Sequence, residues 1–258
     1  MSFWYRLLIC LIAGAGAGFG TGFAGMSAAA VISPMLSAFL GLRPYEAIGI
    51  ALASDVFASG ISAWIYARKK NIDVKNGSLM LGVILLFTML GSYLGDKIPE
   101  NTMGSATTLM TFILGIRFLI NPVRTTKENM LAVSKKRRII GSVVMGILIG
   151  FICGFVGAGG GLMMLFALTA VLGYELKTAV GTSVFIMTFT ALTGAVSHFA
   201  IGGMPEMLDL VLCVIFTFLF AQIASMIANR SKPMTLNAVT GCILLALGLT
   251  IVFVQSIP

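Results

Sequence analysis

GFVGAGGGLMM, residues 154–164, sets five glycines into eight positions between two strongly apolar runs. Three of them are consecutive, Gly159, Gly160 and Gly161, and so point in all directions around a helix, each weakening it by up to about 1 kcal/mol relative to alanine. The stretch therefore predicts a break in the helix. A break inside hydrocarbon leaves backbone N–H and C=O groups without partners, which is tolerable only where protein buries them or an aqueous cavity solvates them. What surrounds the break decides which case applies.

The surroundings are those of an integral membrane protein. Of 258 residues, 58% are hydrophobic and 10% charged, and the mean hydropathy is +1.02. Apolar runs long enough to cross a bilayer as helices recur along the whole length. The longest polar interval, Asn121 to Arg138, leaves no room for a soluble domain. The net charge of +8 sits mainly in short connections between apolar runs, so it reads as a topology signal and not as a nucleic-acid surface. Cys10, Cys153, Cys213 and Cys242 lie singly in apolar segments without CxxC or histidine spacing, which points to buried hydrophobes and not to a metal site.

Turn and charge signals divide the chain into ten apolar segments, five on each side of residues 121–138. The second (27–41) and seventh (160–173) are short. Shifting the sequence on itself by 132 residues aligns GFGTGFAG (18–25) with GFICGFVG (150–157) and Leu40-Gly41 with Leu172-Gly173. The same register pairs Ala47 with Ala179, Gly49 with Gly181, Phe57 with Phe189 and Ala63 with Ala195. Gapless agreement of glycine positions marks a duplication. The expected fold is an all-α polytopic membrane protein of two repeats, 1–120 and 139–258, joined by a basic linker, 121–138. The opening MSFWYRLLICLIAGAGAG imitates a cleavable leader, but the duplication places it within the fold.

An odd number of crossings in each half makes the halves inverted copies. Basic residues from Arg68 to Lys75, Arg124 to Arg138, Lys177, Arg230 and Lys232 gather on one side, against Arg6, Arg43 and Lys97 on the other. The positive-inside rule makes the first side cytoplasmic, with residues 121–138 inside, both termini outside and the chain in a cell (inner) membrane.

The glycine stretches admit several readings. GTGFAG, residues 20–25, matches a dinucleotide-binding GxGxxG, but no strand precedes it and no acidic residue follows at the required distance. Gly14, Gly18 and Gly22, four apart on one face, suit close helix packing. Gly159 to Gly161 suit a break better, although packing stays open there too. The first N–H groups after such a break lack partners within their helix and attract an anion. Two such ends near mid-membrane are the device of discontinuous-helix transporters.

Repeat 2, from GILIGFICGFVGAGGGLMM through AVGTSVFIM to TGAVSHFAIGGM, and repeat 1, with GTGFAGMSAAAVISPML and AIGIALASDVFASGISAWIYARKKNID, resemble the TauE/SafE sulfite exporter family over nearly the whole chain. The resemblance implies a multipass permease for small sulfur-containing or organic anions, coupled to an ion gradient. The half-sites differ: Phe166 stands against Pro34, and Ile50-Ala51 against Thr182-Ser183, so the substrate stays open.

The expected substrate site therefore combines Gly25, Met26 and Ser27 with Gly157, Gly159, Gly160 and Gly161, completed by the hydroxyls of Thr182 and Ser183. Each hydroxyl taken singly has the plainer reading of a bond to its own helix carbonyl, and Ser27 that of an N-cap. Asp55, too deep in its segment to reach water, must face the bundle interior and be protonated or paired, for instance with Arg117 or a hydroxyl. It and His198 are the expected proton-coupling groups, His198 with an interfacial structural role as the alternative. Neither cofactor, metal nor catalysis is expected. The expected partners are a small anion, the bilayer and a second copy of the chain, with no nucleic acid. The competing functional readings are a passive anion channel on the same fold and an assembly factor.

Overall fold

The computed structural model describes residues 2–95, 101–156 and 160–255. Among these every regular element is a helix: α1 (Phe3–Ala24), α2 (Ala29–Leu40), α3 (Pro44–Arg68), α4 (Val74–Gly95), α5 (Asn101–Ile120), α6 (Lys127–Ala132), α7 (Lys135–Val156), α8 (Gly160–Phe166), α9 (Leu176–Gly202), α10 (Met207–Arg230) and α11 (Pro233–Gln255). Five of them, α1, α3, α9, α10 and α11, are long and apolar enough to cross a membrane. The protein is an all-α polytopic membrane protein. α6 is an addition within the basic linker, started by the Thr126 hydroxyl, which accepts from the Asn129 N–H.

The two short segments fold back. The hydroxyl of Tyr5, near the start of α1, donates to the carbonyl of Phe39, near the end of α2. The ends of this hairpin therefore lie on one side. α8 runs on through a wider turn at Ala167–Val171, closed by the Leu172 N–H on the Ala167 carbonyl five residues back. It ends beside the start of α7, where Leu172 fills the space over Gly141 and Arg138 lies over the Tyr174 ring.

Small residues set the packing. Gly14, Gly18 and Gly22 of α1 lie in turn against Phe216–Thr217, Phe220–Ala221 and Ala224–Ser225 of α10, a parallel pair in which any side chain at the glycines would overlap the neighbour. Gly146 and Gly150 of α7 meet Val83 and Ile84–Phe87 of α4 in the same sense. A shift of 132 residues carries α1 onto α7 and α4 onto α10. α3 and α9 run antiparallel: Gly49 meets Phe199, Leu52 meets Gly194, and Tyr66 meets Gly181. The same shift exchanges Gly49 with Gly181 and Tyr66 with His198, the neighbour of Phe199, so it maps this helix pair onto itself.

The polar residues collect at two ends. At one, Arg6 pairs with Glu206 and, at 3.1 Å, with Asp209, while the Glu206 N–H donates to Glu46. At the other, Lys127 donates to the Lys70 carbonyl, Asn71 to Asn229, and Lys177 to the Asn229 carbonyl, while Arg138 lies 3.6 Å from Asp73. The basic connections counted together in the sequence thus share one end.

Gly18→Val should overpack the α1–α10 seam, where a Cβ at residue 18 would stand 2.7 Å from the nearest Ala221 and Phe220 atoms, and lower unfolding stability in detergent by about 1–3 kcal/mol. Gly82→Ala, inside α4 with nothing within 4 Å of the added methyl group, should not lower the melting temperature and should raise it slightly, through a gain of up to about 1 kcal/mol in helix propensity.

Candidate functional site

α1 ends at Gly25, whose φ of 59° is the left-handed conformation glycine adopts without strain. The Gly25 N–H returns to the Thr21 carbonyl and the Met26 N–H to the Gly20 carbonyl, closing the helix. The carbonyls this leaves over are satisfied from other helices. Tyr66 Oη donates to Gly22 O at 2.9 Å, and Thr240 Oγ1 to Phe23 O at 3.2 Å. Thr21 Oγ1 donates to Met26 O at 2.9 Å. Side-chain hydroxyls thus do what water does at a helix end in solution.

The second break meets the first. A Cβ on Gly161 would run into Gly25 O, Met187 Sδ and, at 3.0 Å, Ser27 N, so only glycine permits the crossing. Ser183 Oγ, fully buried in α9, lies 3.2 Å from both the Gly25 and the Gly161 carbonyl oxygens and ties the two breaks together. Ser183 is therefore a fastening of the crossing. Gly157 and Gly159 lie outside the described residues.

Beside the crossing, the Ser27 hydroxyl donates to Asp55 Oδ2 at 2.6 Å and accepts from the Ala29 N–H at 3.3 Å. Asp55 is 1% exposed, and its Oδ1 is buried without a hydrogen-bond partner. Arg117 is not its partner. That guanidinium reaches Thr169 Oγ1 at 3.5 Å and lies over the Phe166 ring.

Ser27 and Asp55 line a cavity of 470 Å³, together with Gly160, Gly161 and Met164 of α8, Cys153 of α7, Ile84, Leu85, Thr88 and Met89 of α4, and Met187, Thr190, Ala191, Thr193, Gly194, Ser197 and His198 of α9. The volume suits a small organic ion with some water. Its polar lining is hydroxyl-rich, with Thr88, Thr190, Thr193 and Ser197, and none of the described lining residues is Lys or Arg. His198 stands at one extreme, stacked 4.5 Å from the Tyr45 ring with Nδ1 3.1 Å from the Gly194 carbonyl. It also lines a second, 210 Å³ cavity with Arg43, Tyr45 and Glu46. The two cavities together lead from the crossing toward the Arg6–Glu206 end.

Of the expected residues, Ser27, Asp55, Gly160, Gly161 and His198 line this cavity, and Gly25 and Ser183 stand behind it. Met26 packs its methyl group back against Gly20. Thr182 points elsewhere: its Oγ1 accepts from the Asp73 N–H at 3.1 Å, at the start of α4. The row Met187, Thr190, Gly194 and Ser197 escapes a reading of the sequence, although its spacing of three and four marks one face of a helix. Glu175 accepts from Thr178 at the head of α9.

A multipass helical protein in which two chain breaks cross beside a buried carboxylate and a largely apolar, hydroxyl-bearing cavity has the architecture of a membrane transport protein. The chain belongs to the sulfite exporter TauE/SafE family, whose pattern matches residues 10–251. It is 23% identical over 270 residues to the probable membrane transporter protein YunE of Bacillus subtilis (strain 168), spanning 98% of each chain. A second B. subtilis protein, the probable membrane transporter YdhB, is 24% identical over 217 residues, covering 84% of this chain and 88% of the relative. A probable membrane transporter protein of Haemophilus influenzae is 27% identical over 209 residues, or 78% of this chain and 77% of its own length.

The cavity makes a labelling prediction. In a Cys242→Ser background, a small charged thiosulfonate reagent should modify Cys153, which lines the cavity, and spare Cys10 and Cys213, which are fully buried. Met164→Trp should protect Cys153. Equal labelling of all three would contradict an aqueous cavity at this place.

Proposed function

We propose that the protein is a secondary transporter of small oxyanions, of the sulfite and organosulfonate class, working by alternating access and coupled to protons. The observation that carries this reading is the placing of Asp55, with one oxygen unpartnered, in a 470 Å³ cavity at the crossing of two chain breaks. A site for an anion that contains a carboxylate and, among its described lining residues, no Lys or Arg fills readily only when that carboxylate is neutral, because like charges in a medium of low dielectric repel strongly. Proton and anion then bind together. Membership of the sulfite exporter family supports the sulfite class.

Alternating access is supported by the inequality of the two ends. Toward the basic end the path is shut by Tyr66 on Gly22 O, by Ser225 Oγ donating to Ser62 Oγ at 2.7 Å, and by the Asn71–Asn229 pair. The positions related to Tyr66 and Ser62 by the 132-residue shift are His198 and Gly194, and both line the cavity. Two halves of inverted topology that exchange these arrangements would open the basic end and shut the other. Positive-inside orientation makes the basic end cytoplasmic, with residues 121–138 inside and both termini outside. In this reading the protein has no catalytic role.

Proteoliposomes given a proton gradient should accumulate sulfite or sulfoacetate above the equilibrium level, and Asp55→Asn should abolish that accumulation while retaining exchange. Flux of any anion at a rate indifferent to the pH gradient would favour a passive channel, and no flux of any anion would remove the transport reading. A Ser62→Cys/Ser225→Cys protein should form a disulfide under oxidation, lose transport and regain it on reduction, since the two oxygens lie 2.7 Å apart.

A further inference from the structure

The amino end of α2 already holds a carboxyl group, and it is the protein's own. Ser27 Oγ donates to Asp55 Oδ2 at 2.6 Å, and the Ala28 N–H faces the same carboxyl group. Ser27 has one hydroxyl proton, and of its two lone pairs one accepts from the Ala29 N–H, which leaves the other to accept. With Asp55 ionised, that proton is committed to the carboxylate and no Ser27 donor faces the cavity. Asp55 Oδ1, buried and unpartnered in the lining of that cavity, is a second and independent sign of a group still to be met there.

We infer that Ser27 is the residue through which protonation of Asp55 admits the anion, by reversal of the Ser27–Asp55 hydrogen bond. The inference rests on the transport reading above. A proton from water in the cavity adds to the Asp55 carboxylate, giving the acid. The acid O–H donates to Ser27 Oγ, and the Ser27 proton rotates into the cavity, where an oxyanion oxygen accepts it. Release runs in the opposite order: the anion leaves, Asp55 loses its proton to water, and Ser27 turns back to the carboxylate. No bond other than O–H is made or broken. Ser27 is a binding residue whose availability Asp55 sets, so proton and anion are coupled by hydrogen-bond direction as well as by charge.

Among the described residues, the other titratable groups that face the cavity are Cys153 on α7 and His198 on α9. α2, α4 and α8 place none among its described lining residues, and no described residue of α1 or α10 lines it. His198 stands at its far extreme against Tyr45, so the measurements below are repeated in a His198→Gln background to remove imidazole titration.

The probe is methanesulfonate, an oxyanion of constant charge, with binding measured by calorimetry on the full chain in lipid nanodiscs at about pH 5.5 and about pH 8.5, on either side of neutrality. Wild type should lose affinity steeply between the two, and Ser27→Ala should lose at least about tenfold less over the same interval, the worth of one hydrogen bond to a charged group. Ser27→Thr, which keeps the hydroxyl, should restore the wild-type ratio and show that the site is intact. Asp55→Asn, whose amide can donate to Ser27 as the acid does, should bind equally at both pH values, and adding Ser27→Ala to it should cost about tenfold at both. Equal pH ratios in wild type and Ser27→Ala would mean that charge alone couples the two, and would overturn the inference while leaving proton-coupled transport standing. Failure of wild type to bind methanesulfonate in nanodiscs that accumulate sulfite when fused into liposomes would overturn it likewise. Absence of both binding and accumulation would instead remove the transport reading.

Discussion

The crossing of Gly161 over the Gly25 carbonyl is the contact on which the remaining geometry depends. Two interrupted helices can approach this closely only because neither carries a side chain at the point of contact, and a Cβ on Gly161 would strike Gly25 O, Ser27 N and Met187 Sδ together. The approach leaves unsatisfied carbonyls deep in an apolar environment, where each costs several kcal/mol without a partner. Tyr66, Thr240 and Ser183 supply those partners from three different helices. The breaks are therefore stable only within the assembled bundle, and the bundle is held in register by hydroxyls aimed at the breaks.

That arrangement also fixes the cavity. With Gly25 capped in the left-handed conformation, the chain turns at Met26 and presents Ser27 to α3, where Asp55 receives its hydroxyl. Because Gly161 occupies the other side of Ser27, the remaining space opens only toward α4, α7 and the far part of α9. The cavity is thus lopsided by construction. One end is sealed by Tyr66 and by the Ser62–Ser225 pair, whereas the residues related to them by the 132-residue shift, His198 and Gly194, border open space.

Much of this was legible in the sequence, for identifiable reasons. Glycines at 18, 22 and 25 recur at 150, 154 and 157 because backbone approach and helix breaking depend on local chemistry, which sequence displays directly. The depth of Asp55 was likewise visible from its place in an apolar run. Its partner was not, since Ser27 lies 28 residues away and only the turn at Gly25 brings the two together. Thr182 and Ser183 are neighbours of equal chemistry, yet Thr182 faces the head of α4 and Ser183 the crossing. Which side of α9 faces which neighbour is a matter of packing, and spacing alone does not decide it. The hydroxyl row from Thr190 to Ser197 had a readable helical period but no local mark to separate it from an ordinary lipid-facing stripe.

The central claim is that an oxyanion sits where the two breaks cross, within reach of Ser27. Crystals soaked at acidic pH with selenite, an electron-dense analogue of sulfite, test it directly through anomalous scattering. The account predicts a selenium peak in the cavity between Ser27, Gly161 and the Thr190 face of α9, with a selenite oxygen at hydrogen-bond distance from Ser27 Oγ. A peak confined to the basic linker at Lys135 to Arg138, with the crossing empty, would contradict it.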